Sequence, residues 1–554
     1  MIDILLKTEP GSDYKEIKVS AGSTIEDLVK KYQSDLPYTI LAARVNNRIL
    51  ELNKTICEPC EITLLDMRDP SGNQIYQRSV SFIYLKAVYD VIGNVRVIIE
   101  NSLNMGLYTE IKTKNHLSED TIRKIEARMH ELAEADIPFV RSILSKEEAL
   151  RVLSDCNHSE KRRMLLRDTQ AESVPIYSCD GFMNYFYGQM VPSTGYIRYF
   201  ELRKYRNGVL LRFPTSLKPD RIPGYRDDKK LYQAFGEAKK WGDLMGISYV
   251  GELNEKIESG EYKQIIQISE ALHEKKIAQI ADLICKEHKR IILITGPSSS
   301  GKTSFAKRLC IQLMVNGLKP LYLGTDDYFV EREQTPVLPN GELNFEDIDA
   351  LDVELFNNNM NSLLAGEDVD LPEFDFREGK KVFGLRITKI RKDQPIVIEG
   401  IHGLNRSLTA KIPDEAKFKI YISPFTQLNI DNHNRIPTTD ARMLRRMVRD
   451  YRFRGYSAQY TIKMWPKVRA GEDKNIFPYN GEADVLFNSA HIYELAVLKK
   501  YAEPLLNAIT REEEAYSEAR RLLRFLRFFK TIEDDSVIAN NSIIREFIGG
   551  SILV

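Results

Sequence analysis

The run Gly296-Pro297-Ser298-Ser299-Ser300-Gly301-Lys302-Thr303 fits the spacing G-x-x-x-x-G-K-[ST]. Its glycines allow a tight turn whose backbone N–H groups point inward at phosphate oxygens. In such a loop Lys302 reaches the outer phosphates of a nucleoside triphosphate and the Thr303 hydroxyl holds Mg²⁺. The helix expected from Lys302 toward Val315, with Ser304 in its first turn, adds the positive end of its dipole. A kinase and a nucleotide-hydrolysing switch can both use this loop, so the neighbouring residues must separate them.

Thr325-Asp326-Asp327-Tyr328-Phe329 follows the next apolar run. Carboxylates at the C-terminal end of a strand lie on the ligand side of an α/β sheet. Asp327 is therefore a candidate to accept a proton from a substrate hydroxyl and to contact the Mg²⁺ shell; the plainer alternative is that both aspartates cap the next segment. Pro395-Ile396-Val397-Ile398-Glu399-Gly400 is a buried-strand pattern ending in an acid, which makes Glu399 a second metal-shell candidate. Arg442, Arg445, Arg446 and Arg449 recur at i, i+3, i+4 and i+7 and share one helix face. Seven arginines lie between Arg435 and Arg454, against Asp440 and Asp450. Three readings stay open for this helix: a solvated basic face, a lid that brings arginines to a transferring phosphoryl group, or a contact for RNA phosphates.

These residues need a scaffold, and the apolar runs supply one. From Lys289 onward, short strands at 290–295, 320–325, 396–399, 418–422 and 483–487 alternate with helices, which predicts a parallel α/β sheet. A helical tail over 493–529 follows. Upstream, 1–67 reads as a small β-rich unit with one helix over 24–32, where Ser23 and Glu26 have capping-box spacing. The next region has helical patterns at 81–92 and 118–135, strand-like runs at 196–204 and 208–213, and a charged helix over 227–246. A helical connector occupies 252–287.

Across 554 residues, 79 Lys plus Arg balance 79 Asp plus Glu, which excludes a chain-wide basic coat for nucleic acid. An apolar fraction of 43 % excludes global disorder. No apolar run approaches a membrane span, the first nine residues do not form a signal peptide, and six cysteines suit a reducing cytoplasm. Cys57-Glu58-Pro59-Cys60 lacks the second pair a zinc site needs. The pairs Cys156 with His158 and Cys285 with His288 read as incidental, and His402 and Trp465 as packed residues.

In this order the motifs resemble the uridine kinase and phosphoribulokinase family over about 290–488. The loop Gly296 to Thr303 looks like that family's ATP loop. Asp327 takes the place of its catalytic base in a Ser-x-Asp-x-Phe segment. Asn344-Phe345-Glu346-Asp347-Ile348-Asp349-Ala350-Leu351-Asp352 and Leu371-Pro372-Glu373-Phe374-Asp375-Phe376 are similar to its acceptor-side motifs, and Glu399-Gly400-Ile401 to its buried strand end. Arg446, Arg449 and Arg454 fall on lid arginines. The resemblance implies ATP and Mg²⁺, with Glu346, Phe374 and Phe376 lining the pocket of a nucleoside acceptor, uridine or cytidine. The chain departs from the pattern at three places. Glu346 stands where the family has a ribose-binding Asp. Gly379, beside Lys380 and Lys381, stands where it has a base-contacting His. Tyr456 replaces a second lid arginine. A non-nucleoside acceptor such as a sugar phosphate is the alternative these departures leave.

Residues 1–67 resemble a TGS domain, and about 69–250 resemble the editing region of threonyl-tRNA synthetase, above all at Val191-Pro192-Ser193-Thr194-Gly195-Tyr196-Ile197. The His and Cys positions of that editing site fall on Arg78, Phe82, Phe186 and Met190. None of these can ligate a metal or shuttle a proton as His and Cys do. The two-part arrangement, and the tail Ser542 to Ser551, are similar to bacterial TGS-containing nucleoside kinases. The expected architecture is multidomain α/β and α+β. It comprises a β-grasp-like unit at 1–67, an editing-like unit without editing residues at 68–251, a connector at 252–288, a phosphate-loop kinase unit at 289–490, and a helical extension at 491–554. The N-terminal half is expected to take RNA or a regulatory ligand, and the alternative function is an RNA- or ribosome-associated, ATP-dependent regulator. No membrane partner is expected, and a homo-oligomer is left open.

Overall fold

The computed structural model describes residues 1–113, 117–155, 159–167, 172–338, 341–426 and 428–554. Cys156 and His158 lie outside the described residues.

The sheet that carries the loop has five strands in the order Leu321–Gly324, Ile396–Glu399, Ile291–Thr295, Lys417–Ser423, Val485–Asn488, all parallel. Ile291, Ile292, Leu293 and Ile294 form the central strand and are fully buried. A strand covered on both faces reads as a continuous apolar run, and each such side chain contributes roughly 1.5–3 kcal/mol by leaving water. Ile292 and Ile294 pack with Phe305, Leu309 and Leu313 of the loop helix, Lys302–Val315; Ile291 and Leu293 pack on the opposite face with Leu323, Phe356 and Leu363. The i, i+4, i+8 spacing of Phe305, Leu309 and Leu313 puts them on one helix face. The helix stops at Gly317 (φ 85°), where Leu318 N–H returns to the Leu313 carbonyl at 3.0 Å. Because all five strands run the same way, Thr295, Thr325, Glu399 and Ser423 gather at one edge.

The arginine helix, Thr438–Arg454, is part of the core. Arg442 and Arg445 are among the largest fully buried side chains, and Leu444, Met447 and Val448 pack with Trp465, Leu498, Leu522 and Phe525. Arg442 and Arg445 are therefore closed to both water and RNA, while Arg452 and Arg454 at the end of the helix stay exposed. Guanidinium groups at this depth must be met by protein acceptors, and the neighbouring elements supply them.

The N-terminal strands form a five-stranded mixed sheet in the order Lys15–Val19, Ile2–Lys7, Cys60–Leu65, Ala42–Val45, Arg48–Leu50. Asn46 (φ 44°) and Asn47 (φ 60°) make the tight turn between the last two. The capping box sits one residue later than its spacing suggests. Thr24, not Ser23, accepts from Asp27 N–H at 3.1 Å, and the Asp27 carboxylate accepts from Thr24 N–H at 3.0 Å. The shorter Asp side chain closes this ring as well as Glu26 would have.

The next region is richer in strands than its sequence pattern suggests. It holds a four-stranded antiparallel sheet, Glu201–Tyr205, Gly208–Arg212, Gly106–Lys112 and Arg96–Leu103, and a three-stranded one, Phe182–Asn184, Ser173–Cys179 and Val140–Ser145. The strand-like run at 196–204 begins only at Glu201, because Thr194–Tyr196 forms a single 3₁₀ turn. The helix placed at 81–92 starts at Pro70, with Asp69 accepting from Ser71 N–H at 2.8 Å as its cap. Among the described residues no helix is long and apolar enough to cross a membrane.

Candidate active site

The loop 296–303 leaves the central strand and turns into the loop helix through Gly301 (φ 83°). Gly296 has a different reason to be glycine: a Cβ there would lie 2.0 Å from the Ile422 carbonyl oxygen of the adjoining strand. The Lys302 ammonium folds over the loop and donates to the carbonyls of Gly296 (3.0 Å) and Pro297 (3.4 Å). The Thr303 hydroxyl donates to the Glu399 carboxylate at 3.2 and 3.3 Å. Burial pushes the Glu399 carboxyl up to about 7; Asp326 and Glu546 add to the rise and Lys302 opposes it. Asp326 is also raised, first by desolvation from the groups crowded around it and again with Lys302 opposing, although the residue itself is open to solvent. Both are carboxylates whose charge calls for a cation beyond the one lysine.

The arginine helix lays its shared face on this loop. Arg442 Nε donates to the Ser298 carbonyl (2.9 Å), Arg445 Nη1 to the Ser299 carbonyl (3.4 Å), and Arg446 Nη1 to the Ser298 hydroxyl (2.7 Å). Arg442 pairs with buried Glu472, and Arg445 with buried Glu494 at 2.6 Å. Glu472 also accepts from Ser298 N–H at 3.0 Å. Arg446, Arg449 and Arg454 converge on the Asp450 carboxylate at 3.2, 2.8 and 3.5 Å. Of the predicted lid, these three remain as a cationic cluster next to the loop, while Arg442 and Arg445 are structural ties.

The acceptor-side residues sit across the cleft. The Asp327 carboxylate is paired with Arg386 at 2.9 Å, on the hairpin Val369–Asp375 and Lys380–Thr388. Glu346 rests against Gly471, held there by Asn475, which donates to its carbonyl at 2.6 Å. Burial raises its carboxyl, helped by Glu472 and opposed by Lys302 and Arg446, so it faces the loop cations. Phe374 is packed edge-to-face between Phe329 (5.6 Å) and Phe376 (5.1 Å), and Phe376 is the ring left exposed. The His402 imidazole is buried beside Glu346 and Asp347, and burial pushes it down to about 4, so it is neutral. Trp465 is core, with the Arg442 guanidinium over its ring at 5.2 Å. Lys381 is spent on Asp352 at 2.8 Å.

The loop, Lys302, Thr303, Glu399, Asp326, Asp327, Glu346 and the Arg446–Arg449–Arg454 cluster thus meet at one edge of the sheet. Sequence spacing missed four partners. Glu472, Glu494 and Arg386 carry no motif. Glu546 accepts from Ser304 N–H (3.3 Å) and Oγ–H (2.7 Å) at the start of the loop helix; its one sequence signal is the tail likeness. Among the described residues no group of three His, Cys, Asp or Glu could cage a metal. Mg²⁺ does not require one, because it keeps water and phosphate oxygens and takes only one or two carboxylates. The hard-oxygen pair Thr303 and Glu399, with Asp326 behind it, fits that ion.

Three of the four synthetase-like positions are filled with packing. Phe82, Phe186 and Met190 are buried, Phe82 against Phe139, Phe182 and Phe186 at 5.3, 5.4 and 6.1 Å. Arg78 donates to the Gln189 carbonyl.

The N-terminal half is similar to Threonine–tRNA ligases. That of Marinobacter nauticus is 26 % identical over 242 residues, 44 % of this chain and 36 % of the ligase. That of Geobacillus kaustophilus is 27 % identical over 202 residues, 36 % of this chain and 31 % of the ligase. The chain therefore spans about a third of the length of these curated relatives. Among solved structures, a "Possible Uridine Kinase" from Bacillus stearothermophilus aligns with 37 % of this chain and 96 % of its own, at 21 % identity and TM-score 0.22. D-glycerate 3-kinase from Cryptococcus neoformans aligns with 45 % of this chain and 87 % of its own, at 12 % identity and TM-score 0.19. Residues 291–496, which contain the loop and every carboxylate and arginine of the cleft except Glu546, match the sequence model of the Phosphoribulokinase / Uridine kinase family.

Proposed function

We propose that the chain is an ATP- and Mg²⁺-dependent kinase that phosphorylates the 5′-hydroxyl of a pyrimidine nucleoside, uridine or cytidine, in the cytoplasm. The observation that carries this reading is the convergence of Lys302, the Thr303–Glu399 pair and Arg446 on one phosphate-binding loop. Loop amides from Gly296 to Ser304 and the Lys302 ammonium bind the triphosphate. Thr303 and Glu399 would hold Mg²⁺, with Asp327 as a further oxygen donor to it. Bound there, such an ion would neutralise charge on the phosphate oxygens. Asp327 takes the acceptor hydroxyl proton as oxygen attacks the γ-phosphorus and the bond to ADP breaks, with the Arg386 pair orienting its carboxylate. Arg446, Arg449 and Arg454 stabilise the charge spread over the transferring group. Glu346 contacts the acceptor, and Phe376, with Phe374 behind it, offers the exposed ring that a base can stack on.

The pairing of Lys381 with Asp352 weighs against a sugar-phosphate acceptor, since that cation is not free for a second phosphate. Burial of Arg442 and Arg445 weighs against an RNA regulator working through this helix.

The test is ADP release from Mg-ATP against uridine, cytidine, purine nucleosides, deoxynucleosides and sugar phosphates, with Lys302→Ala as the blank. Turnover that needs a pyrimidine nucleoside and disappears in the blank is expected. Turnover on a different acceptor replaces the substrate, and none on any acceptor overturns the kinase reading.

A further inference from the structure

A second cavity, of about 670 Å³, opens where separated parts of the chain meet. Its walls come from the N-terminal strand Arg48–Leu50, the helix Pro70–Ile92, the segment 433–437 just ahead of the arginine helix, and the tail helix Tyr516–Leu526. Ten of its lining residues are Arg or Lys and two, Glu51 and Glu518, are acidic, which fits an anion and excludes a cation as its ligand.

Neither acid is free. Glu51 accepts from the Tyr177 hydroxyl and from Met190 N–H. Glu518 pairs with Arg521 at 2.6 Å, and Arg521 also pairs with Asp440 at 2.7 Å. Among the described residues, Arg78, Arg435 and Arg524 make no ion pair; Arg78 and Arg524 reach only the carbonyls of Gln189 and Tyr187. Burial pushes Arg78 down to about 10, with Arg521 and Arg524 adding repulsion. Arg524, on the open side of the cavity, is lowered first by desolvation, with Arg141 and Arg520 adding to it. Clustered guanidiniums with too few acids to balance them destabilise the free protein, and a ligand carrying several negative charges reverses that. Guanidinium forks match phosphate oxygens two at a time. Beside them Tyr187 and Phe528 pack edge-to-face at 5.9 Å and supply an aromatic border. The volume is that of a small-molecule pocket, roughly 300–1,000 Å³.

We propose that this cavity is a second nucleotide site, distinct from the phosphate-binding loop, that takes a nucleoside triphosphate with Arg78, Arg435 and Arg524 on the phosphates and Tyr187 and Phe528 beside the base. It rests on the cavity alone and holds whatever acceptor the kinase domain uses.

The experiment is isothermal titration of ATP, GTP and UTP into full-length Lys302→Ala protein, and into the same protein carrying Arg435→Gln and Arg524→Gln. Both share one loop, so the comparison reads the cavity even if Lys302→Ala leaves nucleotide on the loop. Saturable binding of at least one triphosphate, weakened about tenfold or more by the two substitutions, is expected. Arg141→Glu, on the exposed rim, guards against a folding artefact: it should weaken binding about fivefold with an unchanged melting curve. Equal affinity in the paired proteins overturns the proposal, as does absence of binding at millimolar triphosphate. Binding of tRNA without binding of triphosphates overturns it in favour of RNA.

Discussion

Glu472→Ala should be among the most damaging single substitutions in the unit that carries the phosphate-binding loop. Glu472 and Arg442 are each 1 % exposed, and the Glu472 carboxylate also accepts from Ser298 N–H and from Arg469, both at 3.0 Å. Removing it leaves the Arg442 guanidinium buried without a counter-charge, and breaking such a pair costs about 3–5 kcal/mol. For a unit of roughly 200 residues, 1 kcal/mol moves Tm by about 2–4 °C, so the transition should fall by about 6–20 °C. The assay is thermal unfolding followed by circular dichroism, with wild type, Glu472→Ala and the double variant Arg442→Met with Glu472→Met measured together. The double variant replaces the pair by apolar groups of similar volume, a change often near neutral, and should melt well above the single one. A single variant within about 2 °C of wild type, or a double variant melting below it, would refute the argument that the pair is a buried charge tie holding the loop.

Lys302→Ala and Arg446→Ala should each lower kcat by about a hundredfold or more, given the rate factors of roughly 10³–10⁵ seen for arginines in phosphoryl transfer; steady-state ADP release reads this, and an unchanged kcat in either counts against its role. Glu399 has a folded pKa near 7, raised above its ordinary 4.5, so the stability it contributes is present below about pH 4.5 and is lost as pH rises through 7. Glu399→Gln without Mg²⁺ should therefore melt higher than wild type at pH 8, by at most about 3 kcal/mol, with the gap closing at pH 5; a gap that does not depend on pH contradicts this. Gly301→Ala should destabilise by about 2 kcal/mol or more, from left-handed backbone strain and a Cβ 2.4 Å from Ile543 Cγ2; an unchanged melting curve contradicts it.

The legible parts of this protein were those encoded over a few residues. The loop, the apolar strand before it and the helix after it lie within 25 consecutive positions, 291–315, and each is specified by its own pattern. The editing-like half was less legible. Its strands at 96–103 and 106–112 do not alternate cleanly, because Val97, Ile98 and Ile99 are buried in succession and Leu107 and Tyr108 likewise. The capping residue was off by one position because Ser23 and Thr24 are chemically equivalent caps, and the backbone closing on Thr55 and Ile56 chooses between them.

The arginine helix divides the two kinds of information. Its sequence alone determined that Arg442, Arg445, Arg446 and Arg449 share a face, because 3.6 residues per turn leaves no other arrangement. Whether that face meets water, RNA or protein depended on groups far away along the chain: Ser298 and Ser299 on the loop, Glu472, Glu494, and the apolar face of the tail helix at 516–526. Local spacing orients side chains relative to one another. Only the packed fold brings distant carboxylates and carbonyls to them, and that makes three of these four positive charges a clamp on a phosphate-binding loop.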